Sequence, residues 1–135
     1  MHIIMLAAML LTQSNAQDLY TLDYIQEAGE SGNFNDGAIR FIITPQQGYK
    51  WGKAYNAKLR LKRNKNVALP KRFFSNKKND FVQKENTIIV SIPFDIRGME
   101  DEVVKGTLSF LLCNKKVCKP QRNIKVQFQI FADGC

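Results

Sequence analysis

The chain predicts an all-β fold, an antiparallel β-sandwich, and two observations carry that expectation. About six or seven short segments alternate apolar and polar residues with period two. No stretch carries the spacing of a long amphipathic helix, so nothing of that length is available to cover a sheet except another sheet. At 135 residues the chain is one domain by length. A composition of 44% hydrophobic and 24% charged residues is that of a chain that buries a core.

Residues 17–37 are acidic and weakly patterned. Leu19, Leu22, Tyr24 and Ile25 are compatible with one or two helical turns, and Gly29, Gly32 and Gly37 break any regular element after them, so the segment reads as an N-terminal arm. Ala38 to Thr44 (AIRFIIT) is the first firm strand and ends before Pro45. Pro45 to Gly48 is a turn, and Tyr49 and Trp51 sit in the loop beyond it. In Tyr55 to Lys62, Tyr55, Ala57, Leu59 and Leu61 face one way and Asn56, Lys58, Arg60 and Lys62 the other, the pattern of a half-buried strand. A short strand comes next at Val67 to Leu69. Lys71 to Gln83 reads as a long loop anchored by Phe73, Phe74 and Phe81.

Thr87 to Phe94 is a strand with Ile88, Val90, Ile92 and Phe94 inward, and its Pro93 suggests an edge position or a strand end. Asp95 to Asp101 turns around Gly98. Val104 to Cys113 then places Val104, Leu108, Phe110 and Leu112 inward, which leaves Cys113 on the outer face with Lys105, Thr107, Ser109 and Leu111. Arg122 to Ile130 closes the chain with Ile124, Val126, Phe128 and Ile130 inward.

Residues 1–16 look like a cleaved signal peptide. Ile3 to Leu11 is a short apolar run, and Ser14 and Ala16 form a small-x-small cleavage pattern before Gln17. The run is too short to cross a bilayer. This predicts an exported protein, located in the periplasm, with no stable membrane insertion after cleavage. His2 is the only histidine, so the mature chain has no imidazole for a Ser-His-Asp or Cys-His nucleophile or for a metal site.

The net charge is +8 and unevenly placed. Every charged residue from Lys50 to Lys78 is basic. In an exported protein that excludes nucleic acid as the natural partner. It leaves two readings: the solvated faces of strands, or a surface for an acidic protein or an anionic envelope.

Cys113 and Cys118 are separated by Asn114-Lys115-Lys116-Val117. A hairpin loop of that size can bring two Cα atoms within the roughly 4.4–6.8 Å that a disulfide needs. As a staple, a ring this small stabilises by only about 2 kcal/mol in the chain-entropy treatment. It also spans a turn that the hairpin already closes. As a redox pair, the cysteines have Lys115, Lys116 and Lys119 beside them, and positive charge favours the thiolate that exchanges. Both readings stay open on these residues. Two thiols without histidine or a second close pair do not make a zinc centre, and no metal or other cofactor is expected. Cys135 is an odd cysteine at the chain end.

The stretch GTLSFLLCNKKVCKP resembles the pattern G-x-x-x-F-x-x-C-x-x-x-x-C-x-P of the N-terminal, immunoglobulin-like domain of the thiol:disulfide interchange protein DsbD. Gly106, Phe110, Cys113, Cys118 and Pro120 match it position by position. The Gly48-Tyr49-Lys50-Trp51 turn with Tyr55 and Leu59 is similar to an earlier stretch of that family. Asn56 stands where relatives often carry Pro, and the chain contains neither a transmembrane region nor a thioredoxin domain. The resemblance implies an immunoglobulin-like antiparallel β-sandwich over residues 38–135. It implies Cys113 and Cys118 as the catalytic pair, and exchange with a thioredoxin-like partner in the periplasm. It further implies that Cys118 is attacked first and Cys113 resolves the mixed disulfide. An aromatic cap over the disulfide is also implied, with Tyr49, Trp51 and Phe73 as candidates. The competing expectation is a non-catalytic basic binding module with a structural Cys113–Cys118 disulfide.

Overall fold

The computed structural model describes residues 19–29, 36–98 and 100–131. The signal-peptide expectation for residues 1–16 and the question of Cys135 lie outside them.

Two antiparallel sheets pack face to face. The first runs in the order β1 (Tyr20–Ala28), β2 (Asp36–Pro45), β8 (Thr87–Ile96), β5 (Val67–Ala68), with β7 (Val82–Lys84) also on β8. The second runs β10 (Cys118–Ile130), β9 (Glu102–Cys113), β4 (Lys58–Leu61), β6 (Phe73–Ser75), with β3 (Lys50–Trp51) also on β9. Hairpins within each sheet, joined by connections that cross from one sheet to the other, make the immunoglobulin-like arrangement.

The inward residues of β8, β9 and β10 are those the alternation picks out. Ile88, Val90, Ile92 and Phe94 are buried with Val104, Leu108, Phe110 and Leu112, and with Val126, Phe128 and Ile130. Aromatic pairs cross between the sheets: Tyr20 meets Phe110 edge-on at 5.1 Å, and Tyr24 and Phe41 flank Phe128 at 5.7 and 6.5 Å.

The N-terminal arm is corrected. Much of residues 17–37 is β1 and the start of β2, paired in register from Tyr20 opposite Pro45 to Ala28 opposite Gly37. The alternation is present as Tyr20, Leu22, Tyr24 and Gln26, all buried. It is hard to see in the sequence because a polar residue, Gln26, takes an inward place. That side chain is satisfied: its Nε2 donates to the Phe131 carbonyl at 2.9 Å and its Oε1 accepts from the Phe131 N–H at 2.8 Å. The Tyr24 hydroxyl likewise accepts from the Gln129 N–H at 3.0 Å. These contacts join the two sheets where β1 meets the end of β10.

The loop expected over Lys71 to Gln83 holds β6 and a single 3-10 turn at Asn76–Lys78, capped by the Ser75 side chain. Phe74 and Phe81 are buried anchors, as expected of them. Pro93 does not lie on an edge strand, since β8 is central. It falls between the stretches of β8 paired by β7 and by β5, where the outer side of β8 has no ladder partner to lose.

Gly106 is required by close approach. A Cβ there would collide with the Arg60 carbonyl oxygen, because β4 lies tight against β9 at that level.

Candidate functional site

The β9–β10 hairpin is built by its turn. The Asn114 N–H donates to the Val117 carbonyl at 2.9 Å, and the Asn114 Oδ1 accepts from the N–H groups of Lys116 and Val117, both at 2.8 Å. One short polar side chain thus closes the loop by copying a backbone turn. Cys113 and Cys118 are the next pair down and face each other directly. Beside a hydrogen-bonded pair comes a non-hydrogen-bonded one, where facing strands stand closest. Their Cα atoms are 3.9 Å apart and the sulfurs are joined as a disulfide.

Cys113 is half-buried and Cys118 is exposed. Cys113 has the outward parity expected of it, with Leu111, Ser109, Thr107 and Lys105. On its other side β9 pairs with β3, which puts Lys50 opposite Cys113. Lys115, Lys116 and Lys119 are exposed around the tip, and so is Val117, at 46%. No Asp or Glu occurs on β3, in the tip or on β10, and the single acid of β9, Glu102, is at its opposite end. The pair therefore sits at the end of a sandwich, open to solvent through Cys118, on strands whose nearby charges are all positive.

Of the aromatic candidates for a cap, Trp51 belongs to the core, stacked between Phe81 at 5.6 Å and Phe110 at 6.0 Å. Phe73 is on β6, opposite Arg60, whose guanidinium lies 5.2 Å from its ring centroid. Arg60 in turn faces Thr107, six positions along β9 from Cys113, or about 20 Å at strand rise. Tyr49 is half-buried against the core, one residue from Lys50. Asn56 accepts from the Ser75 hydroxyl at 3.2 Å and helps fix the turn before β4.

Pro120 stands opposite Leu111 on the sheet's edge strand, where a missing N–H is tolerated. Just beyond it the register slips: Gln121 pairs Phe110 but Ile124 pairs Leu108. The bulge places Arg122 and Asn123 against Ser109, with Asn123 at φ 52° and its N–H donating to the Ser109 hydroxyl at 3.0 Å. This feature has no signal in the alternation of β10 beyond the presence of Asn, which tolerates positive φ.

The basic run Lys50 to Lys78 does not form one surface. Lys58 and Arg60 line the outer side of β4 with Lys62 just past its end, Lys71 pairs with Asp80, and Lys77 and Lys78 lie on the 3-10 turn. Among the described residues no cluster of three His, Cys, Asp or Glu is placed to hold a metal ion, and no helix is long and apolar enough to cross a membrane. No family model, no curated protein and no solved structure matches the chain.

Proposed function

We propose that the chain is a thiol–disulfide exchange domain whose Cys113–Cys118 pair reacts with a thioredoxin-like dithiol partner outside the cytoplasm. The observation that carries the reading is the place of the disulfide. It bridges neighbours on a hairpin that Asn114 already closes, and it leaves Cys118 open to solvent on strands that carry no acid near it.

The exchange moves two electrons in two steps. A partner thiolate attacks the Cys118 sulfur, forming a mixed disulfide and releasing Cys113 as a thiolate, which the neighbouring lysines favour. The partner's second thiolate then attacks its own sulfur in the mixed disulfide and releases Cys118. The domain ends as a dithiol and the partner as a disulfide. In reverse, Cys118 attacks a partner disulfide and Cys113 resolves the intermediate. The greater exposure of Cys118 supports its role as the attacked sulfur, and the half-buried Cys113 suits the resolving role. The fold and the match at Gly106, Phe110, Cys113, Cys118 and Pro120 support kinship with the DsbD N-terminal domain. That kinship, with the apolar N-terminus, supports a periplasmic location.

The test is the reduction potential of the pair, by equilibration against glutathione and dithiothreitol buffers in a Cys135→Ser background. A value between about −180 and −270 mV lies with exchange proteins and is the expected outcome. A value below about −300 mV marks a structural bridge and overturns the proposal in favour of the basic binding module.

A further inference from the structure

The outer face of the β10–β9–β4–β6 sheet is organised in rows by register. Lys58 lies beside Ser109, which faces the Arg122–Asn123 bulge. Arg60 lies beside Thr107, which faces Lys125. Lys62 donates its N–H to the Lys105 carbonyl at 2.8 Å, and Lys105 faces Gln127. Successive rows are about 7 Å apart along the strands, and β4 and β10 stand about 10 Å apart across β9.

The consequence is a trough. Short hydroxyl side chains, Thr107 and Ser109, form its floor in two rows and Lys105 stands there in the third, and long cations form its walls. One part, of about 570 Å³, includes Lys58, Arg60 and Arg122 among its lining residues. A second, of about 410 Å³, includes Lys62, Lys105 and Lys125. They meet at Thr107, which lines both. None of the lining residues of either part is acidic. The ion pairs of Arg40 with Glu27 and of Lys71 with Asp80 use none of these cations. Arg60 is held by the Phe73 ring beneath it, so its planar fork is partly oriented before any anion arrives.

Bringing like charges together in rows costs free energy unless an anion neutralises them. The spacing selects which anion. An extended peptide presents every second side chain on one face, about 7 Å apart, matching the rows. Its backbone would meet the hydroxyl and amide groups of the floor. Nucleic acid fits less well, because the half-buried Tyr55 is the single aromatic among the lining residues, whereas a bound strand stacks successive bases on several aromatic faces. A planar membrane would touch the wall cations and leave the floor empty. We propose that this trough binds an extended acidic segment of a partner protein, its alternate carboxylates held between Lys58, Arg60 and Lys62 on one wall and Arg122 and Lys125 on the other. The proposal is independent of whether the disulfide exchanges.

The test uses the full chain and a fluorescent peptide of alternating Glu and Ser, followed by anisotropy. Two variants lose equal charge: Lys58→Gln/Arg60→Gln/Arg122→Gln in the trough, and Lys77→Gln/Lys78→Gln/Lys84→Gln away from it. The trough variant should bind about tenfold more weakly and the control nearly as well as the parent. Backbone amide resonances of Thr107, Ser109 and Asn123 in the parent protein should shift on titration, a readout that needs no variant. Equal loss in both variants would reduce the effect to net charge and overturn the proposal. So would shifts confined to other faces, absence of peptide binding, or tighter binding of an oligothymidylate or of anionic phospholipid vesicles than of the peptide.

Discussion

Tyr24 shows how a single side chain can hold two sheets together. Burial pushes its phenol above the ordinary value of 10.0, and the hydrogen bond from the Gln129 N–H lowers it by a lesser amount. The folded state therefore holds the Tyr24 proton more tightly than the unfolded chain. The stability this contributes is complete below about pH 10 and is lost as pH rises through the folded value. Tyr24→Phe should abolish that alkaline decline. At neutral pH the variant should be about 1 kcal/mol less stable, because the Gln129 N–H loses its acceptor. Urea midpoints measured from neutral pH to beyond pH 10 check both; an unchanged alkaline slope in the variant would remove Tyr24 as its source. At this scale the sequence was partly legible. Strand parity set Cys113 outward, but the inward Gln26 hid β1, since a buried amide looks like a solvated one until its partners on Phe131 are seen.

Among the elements, β9 does the most positioning. It pairs with β10, β4 and β3, and carries Cys113 at one end and the trough floor along its middle. Gly106 is where a side chain would meet β4. Gly106→Ala should destabilise by about 3 kcal/mol or more, since the contact is with backbone and cannot rotate away. Thermal melts read the loss, and a variant as stable as the parent would contradict the spacing between β4 and β9. Alternation revealed the faces of β4, β8, β9 and β10 because each buries one side. It could not reveal which strands adjoin, so the trough, which depends on β4 and β10 flanking β9, was not visible in the run Lys50 to Lys78. Nor were β3 and β6, too short to show a period. The bulge at Arg122–Asn123 re-aims one wall of the trough, a shift that period-two reading passes over.

For the whole molecule, the charge pattern and the fold are one arrangement. Sheet β10–β9–β4–β6 turns cations outward, while on the opposite sheet β1 turns Asp23 and Glu27 outward and β8 turns Asp95 outward. The immunoglobulin-like topology separates the two faces by the thickness of the core. The disulfide hairpin closes one end of the sandwich and the trough lies on one face.

The closeness of Cys113 and Cys118 in sequence also shapes how the chain reaches its fold. The contacts of Tyr24 and Gln26 with the end of β10 join residues 105 apart. The disulfide joins residues 5 apart. Closing so short a loop takes well under a microsecond, whereas assembling a sandwich from distant strands takes milliseconds to seconds. The slow search for topology is therefore the same with the sulfurs joined or free, and an early disulfide cannot lock in a wrong pairing of strands. Oxidised and reduced chains should refold from urea at rates within about threefold of each other. The bridge, if it contributes about 2 kcal/mol, should act chiefly by slowing the unfolding of the oxidised form. Stopped-flow traces of the two forms would decide it. A refolding rate that collapses on reduction would mean that the hairpin is the point from which the sandwich grows.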